Sequence, residues 1–209
     1  MKKKEINELV KILKSTYPEA KCSLDFTTPF ELVVAVMLSA QCTDERVNLV
    51  TPSLFARCKT IKDFANIDIN ELESLIHSCG FYKNKAKNIK LCANQILTKF
   101  NGEVPRDMKN LLELAGIGRK SANVIQLEVF GIASGIAVDT HCKRISNRLG
   151  LSNKSDPTKI EQDLLKQIDR SYLKDVNHIL IWHGRYTCTA RNPKCEFCAV
   201  KKYCRWNKH

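Results

Sequence analysis

The sequence has no apolar run long enough to cross a membrane. Its longest, Phe30 to Ala40, is interrupted by Glu31 and falls far short of the ~20 residues a spanning helix needs. A signal core is missing too. Met1-Lys2-Lys3-Lys4-Glu5 leads straight into an amphipathic pattern, so the cytoplasm is the expected compartment. Alternating polar and apolar segments bounded by turns are lacking, which removes the case for β-strands. Neither an internal repeat nor a low-complexity tract stands out. The chain is not short of hydrophobic residues, at 44%, and that shortage is what defines a disordered chain.

Acidic residues are scarce beside basic ones. The 34 lysines and arginines face 22 aspartates and glutamates, for a net charge of +12. Such an excess favours a polyanionic partner, nucleic acid first and an anionic membrane surface second. Ten cysteines without an export signal argue against a disulfide framework. Cys22, Cys42, Cys58, Cys79, Cys92 and Cys142 are scattered, as small core hydrophobes are. Cys188, Cys195, Cys198 and Cys204 crowd into the tail.

What is present is one helix signal after another. Thr28-Pro29-Phe30-Glu31 combines a capping threonine, a proline at the first helical position and a glutamate at the third. Thr43-Asp44-Glu45, Thr60 to Asp63, Asp68 to Glu71 and Asp156-Pro157 mark further starts, with acids where the helix dipole favours them. Gly80, Gly116, Gly131 and Gly150 follow apolar-periodic runs and mark stops. About ten short helices follow from these signals, and the fold class is all-α. Phe30 to Leu38 is apolar nearly all round and reads as a central, buried helix. A boundary falls near Gly131 to Gly135.

Two helices enclose a tight turn. Asp107 to Ala115 reads as the first, Gly116-Ile117-Gly118 as the turn, and Arg119 to Phe130 as the second. Glycines permit a sharp turn and a close approach to a ligand, and the N–H groups opening the second helix favour an anion. A DNA phosphate suits a chain this basic, with Arg119 adding a charge-assisted contact. Lys120 lies beside Arg119 in the first turn, above Val124 and Leu127 at helical spacing. A second cation, the positive end of a helix and an apolar stripe together favour the neutral amine, a usable nucleophile. A lysine extended into solvent is the plainer alternative. Asp139, before the apolar-periodic stretch through Ile145 and Leu149, fits an N-cap. The same carboxylate could also stabilise positive charge developing on a sugar.

Cys188-x6-Cys195-x2-Cys198-x5-Cys204 places four thiols within 17 residues, which points to a metal centre. Structural zinc usually takes two close pairs; one pair with two outlying singles tilts the spacing toward iron–sulfur. Arg191 and Lys194 lie on the loop between the first two cysteines, where they could meet a DNA phosphate at low entropic cost. Tyr186, Tyr203 and Trp206 read as packing around the group.

Three features occur in order: Leu114-Ala115-Gly116-Ile117-Gly118-Arg119-Lys120, Val138-Asp139-Thr140-His141, and the four-cysteine tail. Together they resemble the endonuclease III family of DNA glycosylases. Leu38-Ser39-Ala40-Gln41 with Thr43-Asp44, Gly80 to Ala86, and His183-Gly184-Arg185-Tyr186-Thr187-Cys188 extend the resemblance over nearly the whole chain. It implies two helical lobes with DNA in the groove between them. Residues 22–133 would form a six-helix barrel domain with the helix-hairpin-helix at about 107–130. Residues 1–21 and 134–209 would form a helical domain with a [4Fe-4S] cluster loop at 188–204.

The resemblance further implies a monomer that acts on damaged double-stranded DNA, with no membrane partner, and that associates with the nucleoid in a prokaryote. Lys120 would attack the sugar C1′ of a flipped-out oxidised pyrimidine nucleotide, and a Schiff base would permit β-elimination. Asp139 would be the catalytic carboxylate. Gln41 and Phe81 would fill the vacated stack, and Gly116, Gly118, Arg119, His141, Arg191 and Lys194 would contact the strand. Cys188, Cys195, Cys198 and Cys204 would hold the cluster. Two positions depart from the family pattern: Ala115 stands where proline is common, and Phe81 where leucine is. The related mismatch adenine glycosylase uses a glutamate where this chain has Ala35, and a DNA-binding module without catalysis would need neither Lys120 nor Asp139.

Overall fold

Short, separately capped segments determine the architecture. The computed structural model describes residues 1–206, and its α-helices follow in the order α1 (Lys3–Thr16), α2 (Pro29–Leu38), α3 (Asp44–Arg57), α4 (Ile61–Asn66), α5 (Ile69–Ile76), α6 (Tyr82–Lys99), α7 (Met108–Glu113), α8 (Arg119–Phe130), α9 (Thr140–Leu149), α10 (Pro157–Gln167) and α11 (Leu173–Tyr186). No strand occurs among the described residues. The expected starts are all used. The Glu31 N–H donates to Thr28 Oγ1 at 3.2 Å while the Thr28 N–H donates to Glu31 Oε2 at 3.0 Å, a closed capping box. Thr43, Thr60, Asp68 and Asp156 each accept a first-turn N–H in the same way.

The chain forms two compact units: Cys22–Gly131, and Met1–Lys21 together with the residues from Ile132 on. In the first, α2 is buried at Phe30 and from Leu32 through Leu38, as its unbroken apolar sequence requires. It packs on α3, α6 and α8, while α6 also packs on α4 and α5. Phe64 closes this core, edge-on to Phe30 at 5.3 Å and to Phe55 at 6.3 Å. In the second unit, Ile6, Leu9, Val10 and Leu13 line one stripe of α1 and are buried. That i, i+3, i+4, i+7 pattern packs α1 against α11, which also packs on α9.

Two stops differ from expectation. Gly131 and Gly150 end α8 and α9 directly. Gly80, however, follows a 3₁₀ turn, His77–Cys79, and α7 ends at Glu113, short of Gly116. Leu114 is already extended, with ψ 136°, because that conformation carries its side chain into the core, where it is 3% exposed.

Ile89 on α6 is fully buried, so Ile89→Ala removes apolar contact and leaves a cavity. We expect a loss of about 3 kcal/mol, read as a lower urea midpoint at unchanged m-value.

Candidate nucleic-acid interface and metal centre

The hairpin is built by a neighbour as much as by its own residues. Gln95 on α6 donates from Nε2 to the Glu113 carbonyl at 3.2 Å and accepts the Ala115 N–H at 2.7 Å. One amide thus caps the end of α7 and fixes the entry to the turn. A proline at position 115 would stiffen the turn through its ring but would have no N–H to give; here Gln95 does the stiffening. Gly116 then turns the chain at φ +77°, and a Cβ there would lie 2.6 Å from Met37 Cε and 3.1 Å from Asn88 Cβ. Both the left-handed backbone and the lack of space demand glycine.

Gly118 is different. Its φ of −98° and ψ of 176° are ordinary extended backbone, and a Cβ there would meet nothing within 4 Å. It occupies the N-cap of α8 and supplies no capping side chain. With no capping oxygen in place, the positive end of the helix is open to an anion at this turn. Arg119 and Lys120 are both exposed. The buried face of α8 is Ala122, Asn123, Ile125 and Gln126. Val124 and Leu127 lie half-buried on its flank, so the expected apolar stripe is not a desolvated floor beneath Lys120.

The structure brings Gln41, Phe81 and Gly116 to a single cleft of about 230 Å³, lined also by Met37, Asn84 and Lys85. Gln41 (φ +54°) and Phe81 (φ +47°) both hold left-handed backbone without being glycine, a strained conformation. The Phe81 ring is 68% exposed. A larger cavity of about 380 Å³, lined by Thr28, Lys59, Phe64 and Phe130 among others, holds none of the predicted site residues.

Asp139 caps α9, and its Oδ1 accepts the Cys142 N–H at 2.6 Å. The N-cap expected from sequence is therefore present. His141 lies against Gly184, where a Cβ would come 3.0 Å from His141 Nδ1 and from Arg144 Nη2. Arg144 donates to the Gly184 carbonyl at 2.7 Å, to the Cys188 carbonyl at 3.2 Å and to His141 Nδ1 at 3.1 Å. Burial above all, then the Arg144 and Arg185 cations, hold the His141 pKa below its ordinary value against the pull of Asp139. A neutral ring is the form that accepts from Arg144.

Cys188, Cys195, Cys198 and Cys204 line one pocket, with Leu149, His183, Pro193 and Trp206 among its other walls. Arg148 donates to Cys188 Sγ at 3.3 Å and to the Thr189 carbonyl at 2.7 Å. Its guanidinium lies 4.3 Å from the Trp206 ring centre. His183 stands with Nε2 3.8 Å from Cys198 Sγ, and its Nδ1 is 3.1 Å from the Tyr17 hydroxyl. Burial, then the Arg144 cation, push His183 down to about 4. A neutral ring that accepts from Tyr17 at Nδ1 carries its N–H on Nε2, toward the sulfur. Arg191 and Lys194 are exposed on the cysteine loop, which Thr189 ties by donating from Oγ1 to the Arg191 carbonyl at 2.6 Å. Tyr186 does not line the pocket; it packs edge-on against Trp182 at 5.4 Å. Sequence reasoning missed Gln95, Arg144 and Arg148, since a glutamine or arginine on a helix face looks solvated until its distant partner is known.

Residues 34–170 match the HhH-GPD superfamily of base excision DNA repair proteins. Endonuclease III of Synechocystis sp. is 50% identical over 203 residues, covering 97% of this chain and 93% of that protein. Endonuclease III of Bacillus subtilis is 42% identical, covering 97% and 92%. Among solved structures, a trapped endonuclease III–DNA covalent intermediate superposes with a TM-score of 0.93 at 42% identity, covering 99% of this chain and 97% of that one. A thermostable thymine-DNA glycosylase, 21% identical, shares the fold with a TM-score of 0.86.

The two turn glycines separate folding from phosphate contact. Gly116→Ala should destabilise the protein by at least ~1 kcal/mol, from a strained backbone with no room for the new methyl. Gly118→Ala should leave the melting temperature near wild type while weakening duplex binding several-fold, as the methyl enters the space a phosphate occupies. Thermal melts and fluorescence-anisotropy titrations of both variants check this; a Gly118→Ala protein that binds as wild type would remove the phosphate from that turn.

Proposed function

The chain belongs to the endonuclease III family of HhH-GPD base excision DNA repair proteins, and on that premise we propose which of its residues carry the reaction and on what substrate. It is a DNA glycosylase with lyase activity at abasic sites. Oxidised pyrimidines are the substrate class, and Lys120 is the nucleophile. The observation that carries the assignment is a relative trapped as a covalent complex with DNA at this overall similarity, together with an exposed lysine in the uncapped first turn of α8.

The chemistry follows from those roles. Duplex DNA shields C1′, so the nucleotide must leave the stack first. Its phosphates dock at the start of α8, where glycine at the N-cap brings no side chain. The Lys120 amine then attacks C1′; the bond to the base breaks, and the base departs with the electron pair and takes up a proton. Positive charge spreads over the sugar as that bond lengthens, and the carboxylate of Asp139, held by the Cys142 N–H, stabilises it. Ring opening gives a Schiff base at Lys120. Loss of a C2′ proton then expels the 3′ phosphate by β-elimination, and water releases the enzyme.

The cysteine tail fits a [4Fe-4S] group. Four soft sulfur donors, Cys188, Cys195, Cys198 and Cys204, line one pocket, a donor set that would hold such a cluster. Bound there, such a cluster supplies a covalent staple and a redox-active centre. Arg148 and His183 point positive or N–H character at the sulfurs, which suits thiolates. Arg191 and Lys194 on the stapled loop contact phosphate.

Borohydride added during turnover should trap a protein–DNA adduct with wild type and none with Lys120→Gln. Asp139→Asn should trap at least about 100-fold more slowly. Undiminished trapping by Lys120→Gln would end the nucleophile assignment, and a wild type that never traps would leave a monofunctional glycosylase or a binding module. Iron and labile sulfide should be present at four each per chain with visible absorbance in anaerobically purified protein; a colourless zinc protein would overturn the cluster. Replacing Arg191 and Lys194 together by alanine should lower the slope of log affinity against log salt by about 2, near one per lost phosphate contact.

A further inference from the structure

Lys85 has no place in the mechanism above, yet it is the one buried lysine or arginine among the described residues. It is 6% exposed. Its ammonium donates to the Leu38 carbonyl and to the Cys79 carbonyl, both at 2.8 Å. Leu38 is the last residue of α2, so the first bond satisfies a carbonyl that the helix itself leaves open. Cys79 closes the 3₁₀ turn ahead of Gly80 and Phe81. Lys85 is also tied to Phe81 through its own backbone, its N–H donating to the Phe81 carbonyl at 3.1 Å.

These anchors frame the two strained residues. Leu38 lies three positions before Gln41, and Cys79 two before Phe81. The loops are otherwise tied mostly to themselves: Cys42 N–H donates to Ser39 O at 3.2 Å, and Gly80 N–H to His77 O at 3.4 Å. An exposed phenylalanine on left-handed backbone is unfavourable twice over, in strain and in wetted apolar surface. It persists only where the surroundings hold it. Lys85 lines the same cleft as Gln41 and Phe81.

We propose that Lys85 is a positioning residue for lesion recognition: a buried ammonium that joins the Gln41 loop to the Phe81 loop and presets the two probes as one unit. This rests on the reading of Gln41 and Phe81 as the groups that enter the vacated stack. The chemistry of the joint explains the residue type. Three donors on a flexible stem can bond two convergent carbonyls; methionine matches the stem without any donor, and arginine spreads its donors in a plane. With the joint broken, each loop would sample its conformations independently, and DNA would have to select the paired one.

Lys90 provides a control. It donates from α6 to the Ala65 and Ile67 carbonyls, the same kind of joint, but its partners lie at the end of α4 and outside the cleft. The measurement is affinity for a duplex with a stable abasic-site analogue and for the matched undamaged duplex, beside melting temperature and single-turnover cleavage. Lys85→Met should lower the melting temperature and weaken binding to the abasic duplex about tenfold, with undamaged binding changed less than about threefold and the saturated single-turnover rate retained. Lys90→Met should lower the melting temperature without changing discrimination. Should Lys85→Met not fold, Lys85→Arg, which keeps the charge, should show the same loss in smaller measure. Adding Lys85→Met or Lys85→Arg to a Gln41→Ala, Phe81→Ala protein should change discrimination no further. Wild-type discrimination in the folded Lys85 variants, or an equal loss in Lys90→Met, overturns the proposal. If Gln41→Ala and Phe81→Ala themselves discriminate as wild type, the stack-filling reading has failed and the positioning role falls with it; if they lose discrimination and the Lys85 variants do not, only the positioning role is lost.

Discussion

Among the described residues, seven helices are capped by a threonine or aspartate that accepts a first-turn N–H; α8 begins at Gly118 with no such side chain. α1, α6 and α11 also start without one, but α8 alone among these four starts on glycine, and that start is the constraint around which the hairpin is arranged. A capping oxygen would occupy the space and satisfy the donors that a phosphate needs. Omitting a capping side chain costs stability in the free protein, commonly about 1 kcal/mol per cap. That loss is offset nearby rather than at the helix start. Leu114 and Ile117 bury their side chains on either side of Gly116, and Gln95 bonds both the end of α7 and the start of the turn.

Helix α6 is the common origin of these supports. Along its length Lys85 serves the end of α2, Lys90 the end of α4, and Gln95 the end of α7. Each helix end leaves carbonyls without intrahelical partners, and in a fold of short helices such ends are frequent. Ordinary practice would close them with glycine and water. A neighbouring helix that supplies side-chain donors does something more, because it fixes the ends relative to one another. The cleft and the hairpin are both built on ends that α6 holds, and α6 also lines the cleft with Asn84, Lys85 and Asn88, so the surface proposed to read DNA takes its rigidity from one helix.

How much of this could be read from sequence depends on the range of the interaction. Caps are local: Thr28 with Glu31 and Asp139 with the Cys142 N–H involve residues three apart, and these were legible. The extent of α8 was legible because Gly118 and Gly131 bound an apolar period. What was not legible lies at long range. Lys85 reaches 47 positions back to Leu38, and Gln95 reaches 18 forward to Glu113; in sequence both look like a solvated face of α6. Gly116 was read as a helix stop because it follows apolar residues, yet the burial of Leu114 had already ended the helix. Lys120 shows the same limit. Its i+4 and i+7 neighbours are apolar, but the side of α8 that meets the core is the one carrying Ala122 and Ile125, both fully buried.

The strained backbones at Gln41 and Phe81 bear on how binding energy is used. A flexible loop that had to adopt left-handed conformations only on meeting DNA would lose that strain and ordering from the affinity, about 1–3 kcal/mol for each such residue. Here both conformations already exist in the free fold, held by hydrogen bonds of the protein. Folding has met the unfavourable term, and under the proposed role of these residues contact with DNA would not meet it again. The same reasoning applies to Asp139, whose carboxylate is fixed by the Cys142 N–H before any sugar arrives. Chemistry that must find one damaged nucleotide among a great excess of intact ones gains most from groups preset in this way, because interactions matched in advance to the distorted strand discriminate, whereas groups that adapt to any strand raise affinity for all of them alike.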